Sequence, residues 1–381
     1  MNFQYSDNQQ MIRAMVREFA EKEIRPGTFA RDKKGEFPEE VIRKAGELGL
    51  LGMTIPESHG GSGMDCISYA LAMEEIARVC PSTAVTISVT NSVCLWPIFA
   101  HGTEAQREKF VRPLASGGGI GGFALTEPGA GSDAGALKTR AVLKGDKYIL
   151  NGTKAWITNA FHGKVFVTFA LTAPEKGTKG ITAFLLTPDM PGFRFGPPED
   201  KMGLKASTTS QIFLEDCEVP VENRLGEEGQ GYRIAMSTLD GSRVSIAAQA
   251  VGVAQGAYEE ALKYSAARHT FGKAINQHQA IQFFLADMAT EIEASRLLTL
   301  QAAAMIDAGR ERLGKFSAFA KYYASEIANR VAYNAVQVHG SAGYSREYAV
   351  ERFYRDARVL TIYEGTSEVQ KIVIARELLA D

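Results

Sequence analysis

The 381-residue chain has little of what marks several common function classes. Its four cysteines, Cys66, Cys80, Cys94 and Cys217, form no Cys-x-x-Cys pair. That excludes a zinc-ribbon type of site and points to reduced thiols in a cytosol. The six histidines show no metal-ligand spacing, so no metal is expected. There is no basic surplus: 42 Lys and Arg face 44 Asp and Glu, and a net charge of -2 argues against nucleic acid. The longest apolar-looking stretch, residues 84–100, is broken by Thr86, Ser88, Thr90, Asn91 and Ser92, which is too polar for a membrane span and reads as a buried helix. Residues 1–7 carry neither a basic segment before an apolar core nor an Arg- and Ser-rich composition. The expectation is therefore no signal or transit peptide and a cytoplasmic location. Repeats and low-complexity tails are also missing.

What is present is ordinary for a soluble globular chain, with 45% hydrophobic and 23% charged residues and length for two or three domains. The pattern predicts an α+β chain built as α, then β, then α. Residues 1–120 read as an N-terminal all-α domain. Ser6 or Asp7 caps a helix through Ile24 that Pro26 stops, and Thr103 with Gln106 resembles a capping box. Residues 121–227 read as a middle antiparallel β domain, with 140–143 and 148–150 paired as a hairpin. Residues 228–381 read as a four-helix bundle, with helices at about 231–265, 277–308, 313–339 and 347–379, the last interrupted near Glu364.

Glu364 stands after an apolar-rich run and before Gly365. A carboxylate in apolar surroundings has a raised pKa, which suits proton abstraction; an ordinary loop glutamate is the plainer reading. Thr366, Ser367 and Glu368 are placed to cap a last helix over 369–379. Gly117, Gly119 and Gly122 satisfy G-x-G-x-x-G, but a helix precedes and a strand follows, the reverse of the dinucleotide-binding order. An interdomain turn explains them better. The loop 125–133 brings Thr126, Glu127, Ser132 and Asp133 around a Pro-Gly-x-Gly turn, which suits the polar edge of a heteroaromatic ring or is a plain turn. Trp156 is either core or a wall for a planar cofactor. Asp240 and Arg243, at i and i+3, are an ion pair or contacts for a polar ligand. Arg268 and Lys273 are linker charges or phosphate contacts. Gly340 ends a helix, and Arg355 is expected to pair with Asp356 or another acid.

Together these stretches resemble the acyl-CoA dehydrogenase family over essentially the whole chain. The resemblance rests on residues 124–136 and on the run from Gln337 through Gly340, Gly343, Arg352, Arg355-Asp356, Ile362 and Glu364-Gly365-Thr366 to Gln370. It implies FAD as cofactor and oxidation of an acyl-CoA thioester to the trans-2-enoyl-CoA, as in fatty acid β-oxidation. The α proton goes to Glu364 and the β hydride to flavin N5. By resemblance Leu125, Thr126, Gly131 and Ser132 form the flavin-ring loop, with Ser132 also touching CoA. Trp156, Ile157 and Thr158 form the flavin wall. Arg268, Phe271, His278, Gln279, Gln337, Val338, His339 and Gly340 bind FAD across a subunit interface, and Thr366 and Glu368 also contact it. Asp240, Arg243 and Gly365 lie on the substrate side. Some relatives carry the base on the helix holding residues 240–243; Gly241 is read as that place, and it cannot serve. The family implies a homotetramer that passes electrons to electron-transfer flavoprotein. Ser341 departs from the second glycine many relatives have after Gly340. Residues 89–93 and the compact length resemble short-chain, butyryl-CoA-type members. The alternatives are a glutaryl- or alicyclic-acyl-CoA dehydrogenase, an acyl-CoA oxidase, or a flavin-bearing nucleic-acid binder on this fold.

Overall fold

Ser6 opens the first helix. In a computed structural model describing residues 4–309 and 313–379, its hydroxyl accepts the Gln9 amide at 3.2 Å and Gln9 Oε1 accepts the Ser6 amide at 3.0 Å. This reciprocal cap satisfies two N–H groups that the helix leaves open. The first helical segment ends at Ile24 before Pro26, as the sequence predicts, but helical turns resume at once. α1 (Asp7–Phe19) passes into a π turn, Ala20–Ile24, then a 3-10 turn, Arg25–Gly27, and α2 (Thr28–Lys34) follows. The proline stands in the first positions of the short turn, where its missing N–H costs nothing.

α3 (Glu39–Glu47), α4 (Cys66–Ala77), α5 (Pro81–Ser88), α6 (Trp96–His101) and α7 (Glu104–Gln106) complete the N-terminal helices. Pro81–His101 is long and apolar enough by length and composition to cross a membrane, yet 78% of its most apolar window is buried inside the protein. It is packed as a core helix. Thr103 and Gln106 form the expected capping box at α7. Thr103→Ala should lower stability by about 1 kcal/mol, read as a lower urea midpoint at unchanged slope. The glycine motif is a packing device: a Cβ on Gly117 would stand 2.9 Å from the Gly46 carbonyl carbon.

The middle region holds β1 (Ile120–Ala124), β2 (Arg140–Lys144), β3 (Lys147–Thr158), β4 (Gly163–Leu171), β5 (Ile181–Leu186), β6 (Phe193–Pro198), β7 (Thr209–Pro220) and β8 (Arg224–Leu225). They form one sheet in the order β6-β7-β3-β2-β4-β5-β8, with β1 paired to β4. The sheet is mixed rather than antiparallel throughout. β1 runs parallel to β4, and a single parallel pair, Arg140 with Leu171, joins β2 to β4. The β2–β3 hairpin serves as the crossover that parallel neighbours need, so no helix is required there. Tyr148, Leu150, Phe166, Phe184, Ile212 and Leu214 form one apolar cluster on these strands.

α8 (Gly231–Ala267) leads through a small hairpin, β9 (His269–Thr270) and β10 (Lys273–Ala274), to α9 (Gln279–Asp307), α10 (Gly314–His339), α11 (Ala349–Ala357) and α12 (Ser367–Leu379). α8 packs on α9 and α10 and also on α4, so both helical regions share one apolar core. Glu74 and Glu75 lie on the buried face of α4. Arg296 of α9 meets Glu74 at 3.0 Å, and Arg13 and Arg17 of α1 each meet Glu75 at 2.7 Å. Arg355 pairs with Asp32 and Glu351, each at 2.7 Å, and not with its neighbour Asp356. Asp356 instead accepts the Leu204 amide at 2.6 Å.

Candidate active site

The chain turns sharply between α11 and α12. There Glu364 has φ 50° and Gly365 φ 91°. A non-glycine residue in the left-handed region carries strain, which collects at functional sites. Gly365 must be glycine, since a Cβ would lie 2.5 Å from Gln370 Nε2. Its carbonyl accepts Lys321 Nζ of α10 at 2.6 Å and Gln370 Nε2 at 2.9 Å. On the other side, the Tyr363 hydroxyl donates to Gln249 Oε1 of α8 at 2.8 Å. The turn is therefore fixed from three helices.

The Glu364 carboxylate points at α8. Ser242 Oγ donates to its Oε2 at 2.5 Å, while Oε1 has no partner among the described residues. Burial raises this carboxyl above its ordinary range; the Ser242 hydroxyl, Lys321 and Arg243 oppose that rise without cancelling it. A half-buried carboxylate with a raised pKa and one free oxygen is the geometry of a general base. Asp240 and the buried Arg243 pair at 2.6 Å beside it. Position 241 does not touch Glu364. A Cβ on Gly241 would meet nothing within 4 Å, whereas Ser242 touches Glu364. Each helical residue rotates by about 100°, so a one-residue offset decides which side chain reaches the turn.

Beyond β1, Glu127 and Ala130 exchange backbone hydrogen bonds at 3.0 and 3.1 Å around Pro128-Gly129. Glu127 is scaffold. Its buried carboxylate accepts Lys154 Nζ at 2.7 Å and the amides of Lys138 and Thr139 at 2.6 and 3.0 Å. Burial pushes the carboxyl up, but Lys154 and these amides more than reverse it, so it stays ionised. Lys154 also reaches the Leu125 carbonyl at 3.3 Å. The Leu125 side chain is buried, and Gly131 and Ser132 are exposed further along the loop.

The Ala155 amide donates to the Thr126 carbonyl at 2.9 Å, which sets Thr126 beside Trp156. Trp156 is not core. It has φ 60° and is 61% exposed, at the point where β3 shifts register against β7. Bulges of this kind re-aim side chains. Ile157 goes the other way, into the sheet core, so its side chain is not part of the wall. The hydroxyls of Thr126, Ser132 and Thr158 have no hydrogen-bond partner among the described residues.

Two connections bring this wall to the Glu364 turn. Phe123 and Tyr363 pack against one apolar cluster with Val85, Val89, Val93 and Leu204. Asn159 Nδ2 donates to the Thr86 carbonyl at 3.1 Å and the Gly121 carbonyl at 2.8 Å. Thr86 lies on α5, whose Ser88 hydroxyl meets Ser245 of α8 at 2.9 Å.

A second group gathers elsewhere. Phe271 tips the β9–β10 hairpin with φ 51° and 97% exposure, beside exposed Arg268. His278 Nε2 lies 3.3 Å from both the Thr270 hydroxyl and its carbonyl, and Gln279 is exposed. At the end of α10, Gln337 and Gly340 face outward, but Val338 and His339 face inward. His339 stacks on Tyr264 at 4.2 Å, so a ligand reaches Val338 and His339 only through main chain. Among the described residues, no hydrogen bond or ring contact joins this group to Trp156 or Glu364. Thr366 caps α12 by accepting the Val369 amide at 3.3 Å, and Glu368 is exposed in its first turn.

Comparison with known proteins decides the family. Models for the acyl-CoA dehydrogenase N-terminal, middle and C-terminal domains match residues 6–118, 122–217 and 229–379. The chain belongs to the acyl-CoA dehydrogenase family. It is 48% identical over 373 residues to the mitochondrial short-chain specific acyl-CoA dehydrogenase of Rattus norvegicus, covering 98% of this chain and 90% of that one. The butyryl-CoA dehydrogenase of Megasphaera elsdenii superposes with a TM-score of 0.98 at 45% identity, covering 100% of both chains. A chain from a structure of the electron transferring flavoprotein of Acidaminococcus fermentans, described in terms of flavin-based electron bifurcation, superposes with a TM-score of 0.99 at 49% identity over 100% of both chains. Family members are FAD-dependent oxidoreductases, and this chain is an enzyme of that class.

The residues fit such a cofactor: an exposed indole held in a left-handed conformation offers a flat wall, and the unpartnered hydroxyls of Thr158 on the same strand and of Thr126 and Ser132 on the neighbouring loop stand near it. Sequence reasoning missed Ser242 and Lys321. Lys321 had a signal, because it falls in the stripe of Ser317, Ala324, Ala328 and Val331 that faces the core of α10.

Proposed function

We propose that this enzyme oxidises a short-chain acyl-CoA thioester to the trans-2-enoyl-CoA, with Glu364 removing the α proton. The observation that carries the reading is the Glu364 turn: a strained, half-buried carboxylate with raised proton affinity, braced by Ser242 and keeping one oxygen free. FAD supplies the acceptor for the β hydride. Thr126, Ser132, Trp156 and Thr158 bind it, with main-chain contacts from Leu125, Gly131 and Ile157. Arg268, Phe271, His278, Gln279 and the 337–340 segment reach the FAD of a neighbouring subunit in a homotetramer, and Thr366 and Glu368 lie near it. Arg243, Asp240 and Gly365 border the thioester. Glu364 Oε1 takes the proton while Ser242 holds Oε2, so the carboxylate does not swing away during the transfer. Tyr363, hydrogen-bonded to Gln249, braces the turn from α8.

The short-chain reading is supported by the relatives named for short-chain and butyryl substrates. Electron-transfer flavoprotein as acceptor is supported by the structure described for that protein. The test is turnover of butyryl-CoA with electron-transfer flavoprotein, following but-2-enoyl-CoA. Formation of the enoyl product with reduction of the flavoprotein is expected; reoxidation by air faster than by the flavoprotein would make the protein an oxidase. Trp156→Ala should weaken FAD binding by up to roughly tenfold, the worth of about 0.5–1.5 kcal/mol of aromatic contact, measured by flavin release on dilution.

A further inference from the structure

Lys321 is the one charged side chain on the inner face of α10 that the reaction as described does not use. It is fully buried, and a buried ammonium needs a strong partner. Its hydrogen bond goes to the Gly365 carbonyl at 2.6 Å, the carbonyl directly after the base. Among the described residues, only Gln370 shares that acceptor. The charges that act on Lys321 are Glu364 on the turn, Arg243 on α8, Glu326 on α10 itself and Glu368 on α12. Glu326 is already engaged, accepting the Ser367 hydroxyl at 2.5 Å. Arg243 is drawn to Asp240 at 2.6 Å. Glu364 is thus left with Lys321 as a cation not committed to another carboxylate.

We infer that Lys321 is a positioning residue for the base: its hydrogen bond to Gly365 fixes the turn that presents Glu364, and its charge favours the ionised carboxylate. The inference rests on Glu364 being the base. It does not place Lys321 against substrate. Burial lowers the Lys321 pKa to about 8, so the ammonium form holds through the neutral range where the reaction is expected to run. Removing that charge leaves burial of Glu364 less opposed, and its proton is then held more tightly.

The experiment is the pH dependence of flavin reduction by butyryl-CoA, measured anaerobically on the FAD-loaded Lys321→Met, Lys321→Gln, Lys321→Arg and Glu364→Gln proteins. In Met and Gln the acid limb should move to higher pH by about one unit, the lower end of what a nearby opposite charge does to a carboxyl, with butyryl-CoA affinity unchanged. Gln keeps a donor for Gly365, so it is read if the Met protein does not fold. Arg keeps the charge and should return the limb to the wild-type position. An unmoved limb in Met or Gln, or an Arg protein that behaves like Met, overturns the inference while a dead Glu364→Gln leaves the base in place. A Glu364→Gln protein that reduces its flavin normally brings down the base assignment itself, which is a separate failure.

Discussion

Glu364→Gln is expected to keep its FAD and to slow flavin reduction by an acyl-CoA about 10²–10⁴-fold, the usual contribution of a positioned base. Glutamine is nearly isosteric, and its amide oxygen still accepts from Ser242, so the turn and the strained φ of 50° are retained. What is lost is the ability to hold a proton. Wild-type reduction should also rise with pH through the Glu364 pKa, because only the ionised carboxylate is a base. Burial places that limb above the ordinary carboxylate range, and the limb should vanish in the Gln protein. Stopped-flow reduction across pH measures both. Near-wild-type reduction in the variant would remove Glu364 from the chemistry.

The largest expected loss of stability is at Lys154. Its ammonium is fully buried between Glu127 and the Leu125 carbonyl, at 2.7 and 3.3 Å. Lys154→Met leaves Glu127 buried with only the amides of Lys138 and Thr139. Breaking one side of such a pair costs about 3–5 kcal/mol, because the remaining charge stays desolvated. The urea midpoint should fall accordingly, and flavin content with it, since the pair ties the 125–133 loop to β3. The Glu127 carboxyl is held below its ordinary value, so the pair's contribution is present at neutral pH. It is lost as the pH falls through that lowered value. A midpoint that shifts by less than about 1 kcal/mol would mean the pair is not what holds the loop.

Local signals carried most of the architecture. The Ser6–Gln9 and Thr103–Gln106 boxes and the four long C-terminal helices follow from capping residues and helical spacing, both written within a few positions. Pro26 marks the boundary at Ile24, but it also fits the first turn of the helical segment that follows. The parallel β1–β4 pairing had no local signature, since the partners stand some forty residues apart. In the candidate site, the left-handed turn at Glu364 and the exposed Trp156 fall on residues that the family motifs single out. Ser242 was not, because its value lies in meeting a residue 122 positions away. The resemblance places Ile157 in the wall with Trp156, and the β3 bulge that separates their side chains has no local signal because it is set by pairing with β7. Val338 and His339 could have been excluded as side-chain contacts, for they continue the buried stripe of Val331 and Ala335.

The most direct test of the account is an anaerobic titration of the purified flavoprotein with butyryl-CoA, following the flavin absorbance. The account predicts bleaching by the thioester alone, in proportion to the thioester added, and none in Glu364→Gln on the same timescale. A flavin spectrum that butyryl-CoA and longer, branched, glutaryl and alicyclic thioesters all leave unchanged would contradict it.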